Sequence, residues 1–215
     1  MTQAIDFRFE LLFIFLVLIS AIALITVVVL TLRARRSAAK RWLMVLGIGW
    51  AAYVSLVFLV AAVTSQRIIP IDQDLCFDEM CFAVVKVQTA SQLGPAQRPA
   101  RADGTFYVVT VRASSRAHGR AQSEKGLRAQ LWSPERMYDV SAIGQSAWEA
   151  AHPQTATLTT RLGPGQAIYT DRVFDVPLQA TGLGLVLSHG FTPGYFVIGE
   201  CPLFHRPTIL RVSPG

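Results

Sequence analysis

Charged residues are absent from two long stretches of the chain. Positions 11–32 hold 22 residues without a charge, and positions 43–65 hold another 23. About 20 apolar residues in an α-helix span the hydrocarbon core of a bilayer, and a helix satisfies every backbone amide within the segment. We therefore predict two transmembrane helices, 11–32 and 43–65.

Aspartate, glutamate, lysine, arginine and histidine are all missing from both stretches. Ionisable groups inside a membrane are the usual mark of ion and proton pathways. Their absence therefore argues against a transporter or a channel.

Catalytic motifs are also lacking. Ser188, His189, His152 and Asp175 supply the residue types of a hydrolytic triad. No Gly-x-Ser-x-Gly elbow is present to expose a serine as α/β-hydrolases do. We therefore expect no enzymatic activity, and no motif in the chain requires a cofactor.

Basic residues, by contrast, are concentrated between the two apolar stretches. The segment 33–42 carries five Lys/Arg residues and no acid, whereas positions 1–10 carry two acids and one arginine. Short loops rich in Lys and Arg stay in the cytoplasm. The predicted topology is an extracytoplasmic head at 1–10, a cytoplasmic loop at 33–42 and an extracytoplasmic domain at 66–215. A cleaved signal peptide fits poorly, because residues 1–10 are not basic and the first apolar run exceeds the usual length.

The same basic segment supplies much of the formal net charge of +6 and of the pI near 9.7. Binding to nucleic acid needs a concentrated basic face on a folded domain. We therefore expect no nucleic-acid partner.

The predicted extracytoplasmic part at 66–215, about 150 residues, is long enough for one domain with its own hydrophobic core.

Small residues recur along one face of the second apolar stretch. Gly47, Ala51 and Ser55 follow a four-residue spacing, which allows close approach of two helix backbones. The simpler interpretation is that this face packs the second helix against the first in a transmembrane hairpin. The alternative is that it forms a homodimer.

Beyond residue 66 the pattern changes to short alternating strands separated by Gly- and Pro-containing turns. One helical turn is expected at 144–151, and a long mobile loop at 91–103. Many short strands at this spacing indicate an antiparallel sandwich or barrel. The predicted strands are 81–89, 106–113, 127–132, 136–141, 157–162, 166–176, 184–188, 194–198 and 208–212.

Several short motifs within residues 72–212 resemble a known group of proteins. The segments are Cys76-Phe-Asp-Glu-Met-Cys81-Phe, Arg112-Ala-Ser-Ser-Arg-Ala-His-Gly-Arg-Ala-Gln122, Leu162-Gly-Pro-Gly165, Phe174-Asp-Val-Pro177, Val197-Ile-Gly-Glu200 and His205-Arg-Pro-Thr208. This part of the chain resembles uncharacterised bacterial membrane-anchored proteins that carry a telokin-like, immunoglobulin-like extracytoplasmic domain. The resemblance implies an antiparallel immunoglobulin-like β-sandwich displayed outside the bacterial cytoplasmic membrane. It brings no catalytic residues, and Cys201 departs from the pattern.

Cys76 and Cys81 are predicted to form a disulfide. If the chain between them were extended, the Cα atoms would lie beyond the roughly 7 Å limit for a bridge. A bond therefore requires residues 77–80 to form a turn, which Asp78 and Glu79 favour. Outside the cytoplasm such a bond persists. Redox-active pairs usually have Cys-x-x-Cys spacing, so we expect a structural role.

Cys201 and His205 suggest an alternative function, because cysteine and histidine ligate copper on β-rich scaffolds. A blue-copper site also needs a second histidine and, in general, an axial methionine. No methionine follows His205. An extracytoplasmic metal-carrier or redox protein is therefore the alternative prediction, and a protein without metal is the preferred one.

Four arginines, Arg112, Arg116, Arg120 and Arg128, surround the turn at 118–119. If this segment is a hairpin, alternation brings several guanidinium groups to one face, which could bind carboxylates, phosphates or lipid head groups. The simpler interpretation is a solvated strand pair whose charges prevent edge-to-edge association.

Together these features predict a non-enzymatic interaction module that two helices anchor in the membrane. Its expected partner is another envelope or membrane protein.

Overall fold

The computed structural model describes residues 3–96, 99–153, 156–188 and 206–212. Residues up to Gln66 belong to one compact unit, and the β-strands belong to another. The helices are α1 (Gln3–Leu32), α2 (Arg36–Val63) and α3 (Ala142–Ala151). The strands are β1 (Ile68–Ile69), β2 (Leu75–Phe77), β3 (Met80–Leu93), β4 (Ala100–Ser115), β5 (Arg128–Trp132), β6 (Met137–Tyr138), β7 (Ala167–Val176), β8 (Gly184–Ser188) and β9 (Ile209–Arg211).

The first two helices are long and apolar enough to cross a membrane. Only 11% of the most apolar window of each is buried within the fold. Large aliphatic side chains therefore cover the outer surface of both helices, with Ile22, for example, 65% exposed and Met44 67% exposed.

The connection between α1 and α2 is shorter than the loop predicted at 33–42. Helix α2 begins at Arg36, so three residues separate the helices, and Ala34 turns the chain with a φ of +57°. The basic segment continues as helix because alanine, lysine and arginine are all strong helix formers. At the other end, α1 already begins at Gln3, within the predicted head.

Helices α1 and α2 contact each other through aromatic and small side chains. The indole Nε1 of Trp50 donates a 2.9 Å hydrogen bond to the Ser20 hydroxyl, which itself donates to a main-chain carbonyl of α1. Tyr53, Val57 and Ala61 are buried one turn after another below Trp50. The α1–α2 contact thus follows one stripe of α2.

The predicted small-residue face lies elsewhere on α2. Gly47, Ala51 and Ser55 are exposed, and no atom lies within 4 Å of a Cβ built on Gly47. The expectation that this face packs α2 on α1 is therefore wrong. The larger Trp50 and Tyr53 occupy the contact instead, because they bury more apolar area.

The second unit contains two β-sheets packed face to face, so the prediction of a β-sandwich is confirmed at this level. One sheet has the strand order β1-β9-β8-β5-β6 and the other β2-β3-β4-β7. Strand β1 runs parallel to β9, with Ile68 opposite Ile209, so the expectation of a purely antiparallel fold is wrong at this edge. The remaining strand pairs are antiparallel.

The main core fills the space between the sheets. It includes Phe82, Val109 and Phe174 from one sheet and Leu131, Leu185 and Leu210 from the other. A smaller cluster lies on the outer face of the four-stranded sheet. There α3 covers Phe106, Val108 and Val173. Alternation along β4 therefore sends successive side chains to two different apolar clusters.

Two local predictions are wrong and one is confirmed. The long loop predicted at 91–103 is instead the paired ends of β3 and β4, with Leu93 opposite Ala100. The strand predicted at 157–162 is a turn, in which the Thr160 hydroxyl accepts from the Thr157 amide at 2.8 Å. The helical turn is present as α3, which the Ser141 hydroxyl caps at its N-terminus. The strand predicted at 194–198 lies outside the described residues.

Candidate functional site

The disulfide between Cys76 and Cys81 is formed, as the sequence predicts. The two residues lie directly opposite each other on β2 and β3, with Cα atoms 3.9 Å apart. The turn between them is Asp78-Glu79, and Asp78 has a φ of +52°. Cys81 is completely buried, so the bond ties the short edge strand β2 to the core of the sandwich.

Replacing both Cys76 and Cys81 with alanine is expected to lower the free energy of unfolding by about 2 kcal/mol, because the bond restricts a short loop of the unfolded chain. Urea denaturation of the full chain in detergent micelles measures the loss. Dithiothreitol should destabilise the wild type by a similar amount and leave the double variant unchanged. A wild type that is insensitive to reduction would contradict this prediction.

Beside the disulfide, Asp74 binds two of the four predicted arginines. Its carboxylate oxygens lie 3.0 Å from Arg112 and 2.7 Å from Arg116. The hydrogen bond to Asp74 raises the pKa of Arg112 above its usual value. A raised pKa means that the guanidinium of Arg112 keeps its positive charge as the pH rises. Because Arg116 is largely exposed, its pair with Asp74 contributes little to stability.

The four arginines do not lie on one hairpin face. Strand β4 belongs to one sheet and β5 to the other, so the chain between Ser115 and Arg128 crosses from sheet to sheet. The hairpin expectation is therefore wrong, and the single antiparallel bridge in this segment joins Gln122 to Leu162. Arg120 is exposed in the crossing segment, while Arg128 begins β5 opposite Ser188. A binding role for these arginines stays a prediction.

Asp74 also stands near the two sulfurs, and the three donor atoms lie within 4.8 Å of one another. The disulfide leaves no thiolate to coordinate a metal, so this trio is not a metal site in the oxidised protein. Cys201 and His205, the alternative metal ligands, lie outside the described residues.

A cleft of about 490 Å³ opens at one edge of the sandwich. Its apolar floor includes Leu127 and Leu158, which are 8% and 3% exposed. Two arginines, Arg128 and Arg172, and one acid, Asp139, are among its polar lining residues. Most ligand sites have this size and this combination of an apolar surface with a few polar groups.

Arg172 lines the cleft but was not predicted from the sequence as a site residue. It lies on β7 opposite Val109 of β4, on the same side of the strand as the buried Phe174 and Val176. A cation that alternates with the apolar Phe174 and Val176 was the available signal. Burial lowers the pKa of Arg172, and the nearby carboxylates of Glu149 and Asp171 partly offset this effect.

Helix α3 packs against β7, the edge strand of the four-stranded sheet that carries Arg172. The Gln145 side chain donates to the Asp171 carbonyl at 3.1 Å and accepts from the Val173 amide at 2.9 Å. The Asp171 carboxylate accepts from the Trp148 indole at 2.9 Å and from the Thr110 hydroxyl at 2.6 Å. The edge strand next to Arg172 is thus held by side chains and closed to another strand there.

The fold therefore defines a β-sandwich domain with two apolar helices.

No protein-family model matches the chain, and no match was found among curated proteins. Two solved structures are similar to the sandwich. One is a conserved hypothetical protein from Bacillus anthracis, with 14% identity, a TM-score of 0.46, and coverage of 57% of this chain and 92% of that one. The other is an uncharacterized β-sandwich protein from Clostridium difficile 630, with 10% identity, a TM-score of 0.37, and coverage of 60% and 89%. Likenesses this distant carry no argument about function.

Proposed function

We propose that this chain is a membrane-anchored interaction module whose β-sandwich lies outside the bacterial cytoplasmic membrane and binds another envelope or membrane protein. The exposed apolar surface of α1 and α2 carries the proposal. Soluble proteins rarely expose apolar patches of more than a few hundred Å², whereas a bilayer accommodates such helices. The two helices then form a transmembrane hairpin.

Two observations support the orientation. The three-residue connection between the helices, together with the start of α2, carries the cluster of basic residues, and such clusters stay cytoplasmic. The disulfide between Cys76 and Cys81 suits an oxidising compartment outside the cytoplasm. The helical hairpin then anchors the sandwich on the extracytoplasmic side of the cytoplasmic membrane, where it meets its partner.

The strand order supports the immunoglobulin-like part of the proposal. If β3, β4 and β7 correspond to strands A, B and E, then β5, β6, β8 and β9 correspond to C, C′, F and G. The resulting sheets, A-B-E and G-F-C-C′, have the neighbour relations of immunoglobulin domains. The disulfide differs, because it ties β2 to β3 and does not bridge the two sheets.

Asp175 and His152, two residues of the hydrolytic triad considered above, have other contacts. The Asp175 carboxylate accepts from the amides of Asp103 and Gly104 at 2.9 and 3.1 Å. His152 stacks on Trp148 with ring centroids 3.9 Å apart. These contacts account for both side chains without a catalytic role.

Protease treatment of sealed spheroplasts tests the proposed topology. A C-terminal epitope tag on the full chain should be lost when protease is added outside, and a cytoplasmic marker protein should survive. Cross-linking in the same cells, followed by mass spectrometry, should identify an envelope protein attached to the sandwich. A tag that is cut only after lysis, or a sandwich with no cross-linked partner, would overturn the proposal.

Arg120 offers a test of the prediction that the basic segment around residues 118–119 binds anions, because Arg112 and Arg116 are already paired with Asp74. If this surface binds anionic lipid, Arg120→Glu should weaken the binding of the full chain in neutral nanodiscs to anionic liposomes by about tenfold. Co-flotation measures the binding. Arg101→Glu, an equal charge change at another exposed arginine, is the control. Equal loss in both variants would mean that only net charge matters.

The exposed small-residue face of α2 predicts a homodimer. Gly47→Ile and Ala51→Ile should each weaken dimerisation about tenfold, because a large side chain separates the two helix backbones. Energy transfer between labelled chains in bilayers measures the dimer. Ile48→Leu, on an exposed position of the same helix, is the control. Unchanged energy transfer in the two isoleucine variants would contradict the prediction.

A further inference from the structure

The guanidinium of Arg172 has few partners among the residues that the structure describes. Its Nη1 donates to the Asp171 carbonyl at 2.8 Å. Among the described residues, no carboxylate oxygen lies within the 4 Å of an ion pair with it, whereas Asp74 satisfies Arg112 in this way. A guanidinium has five N–H donors, and among the described residues one of them has an acceptor within the protein.

A partly buried cation that makes no ion pair within 4 Å among the described residues costs stability. An apolar residue at position 172 would extend the core beside Phe174 without that cost. Desolvation is also what lowers the pKa of Arg172. Charged groups that a fold keeps at such a cost, inside a cleft, are candidates for a ligand-binding role.

The surroundings of Arg172 limit the chemistry of the ligand. Leu127 and Leu158 form an apolar surface in the same cleft, and Thr157 and Thr159 contribute hydroxyls at its rim. Among the described lining residues, Asp139 carries the one negative charge, and its Oδ1 accepts from Gln130 at 2.9 Å. A guanidinium matches a carboxylate with two parallel hydrogen bonds.

We propose that the cleft between β5, β7 and the turn at 157–160 binds a small carboxylate ligand that carries an apolar group, with the carboxylate on Arg172 and the apolar group on Leu127 and Leu158. A free acyl amino acid and the C-terminus of a peptide share this chemistry. The site lies within the sandwich and depends neither on the membrane topology nor on the protein partner proposed above.

N-acetyl-L-leucine is a suitable probe, and its amide is the matched neutral compound. Saturation-transfer NMR on the full chain in nanodiscs should show saturable binding of the acid, at least tenfold tighter than binding of the amide. Arg172→Gln should weaken binding of the acid at least tenfold, and Arg101→Gln, at an exposed position, should change it less than twofold. Inorganic phosphate lacks an apolar group. As a competitor that reduces the saturation-transfer signal of the acid, it should bind at least tenfold more weakly than the acid.

Asp139→Asn gives a test that leaves Arg172 in place. Removal of this negative charge from the lining should tighten binding of the acid about threefold. Three results would each overturn the proposal. The acid and the amide could bind equally well, Arg172→Gln could have no effect in a folded variant, or phosphate could bind as well as the acid. A tetrapeptide ending in leucine distinguishes the two sources. Tighter binding than the probe indicates a peptide terminus, and weaker binding indicates a small free acid.

Discussion

Replacing Gly104 with alanine is expected to lower the free energy of unfolding of the sandwich by about 3 kcal/mol. A Cβ at this position would lie 2.2 Å from the carbonyl oxygen of Val176 and 2.8 Å from the Cα of Pro177. These are backbone atoms at the end of the neighbouring strand β7, so no side-chain rotation can relieve the clash. Strands β4 and β7 must separate where Thr105 pairs with Val176.

The separation would also break the hydrogen bonds from the Asp103 and Gly104 amides to the Asp175 carboxylate. Thermal or urea unfolding of the full chain in micelles measures the effect. Gly119→Ala is the matched control, because no atom lies within 4 Å of a Cβ built there. That variant should stay within about 0.5 kcal/mol of the wild type. If the two glycine variants were equally stable, β4 and β7 would not approach as closely as described.

Replacing Asp171 with alanine is expected to cost about 3 kcal/mol, because two hydrogen bonds to a charged acceptor are lost together. The Trp148 indole N–H on α3 and the Thr110 hydroxyl on β4 would both be left without their acceptor on β7. Helix α3 should then detach from the sheet more readily. Hydrogen exchange measured by mass spectrometry should report faster exchange across 142–151 than across the core strands.

Asp171→Asn separates the loss of charge from the loss of an acceptor. Asparagine retains one carbonyl oxygen, so we expect roughly half the destabilisation of the alanine variant. Asp139→Ala removes an exposed carboxylate that accepts one bond from Gln130, and should change stability by less than about 1 kcal/mol. An Asp171→Ala variant whose α3 exchanges as slowly as in the wild type would show that apolar packing alone holds the helix.

The features that the sequence predicted correctly depend on local pattern. The uncharged runs at 11–32 and 43–65 lie in helices, the second as far as Val63, as expected for apolar runs too long to be single strands. Strands β3, β4, β5, β7 and β8 fall within or close to the predicted segments, because alternation with β-branched residues is a strong local signal. The Cys76–Cys81 bond also needs only a local turn.

The failures involve residues distant in sequence. Nothing local in residues 91–103 indicates that Leu93 pairs with Ala100, because the pairing extends a register already set by the rest of β3 and β4. The four arginines were grouped by proximity along the chain, yet β4 and β5 enter different sheets. The choice of sheet depends on which apolar faces meet across the core, and periodicity does not encode that choice.

The candidate site shows the same limit. Arg172 is conspicuous only once β7 is known to turn that position toward the other sheet, and its cleft requires Leu127 and Leu158 from two other segments. Likewise, Asp171 joins Thr110 and Trp148 only after α3 has packed against the outer face of the sheet.

The sequence by itself determined the two apolar helices, the strand-rich second half and the short disulfide turn, because each follows from the properties of neighbouring residues. The tertiary structure alone decided that Asp74 binds Arg112 and Arg116, and that Arg172 faces the cleft without a carboxylate partner among the described residues. Distances between side chains on different strands depend on sheet packing. That packing minimises the exposed apolar area of the whole domain and cannot be deduced from one segment at a time.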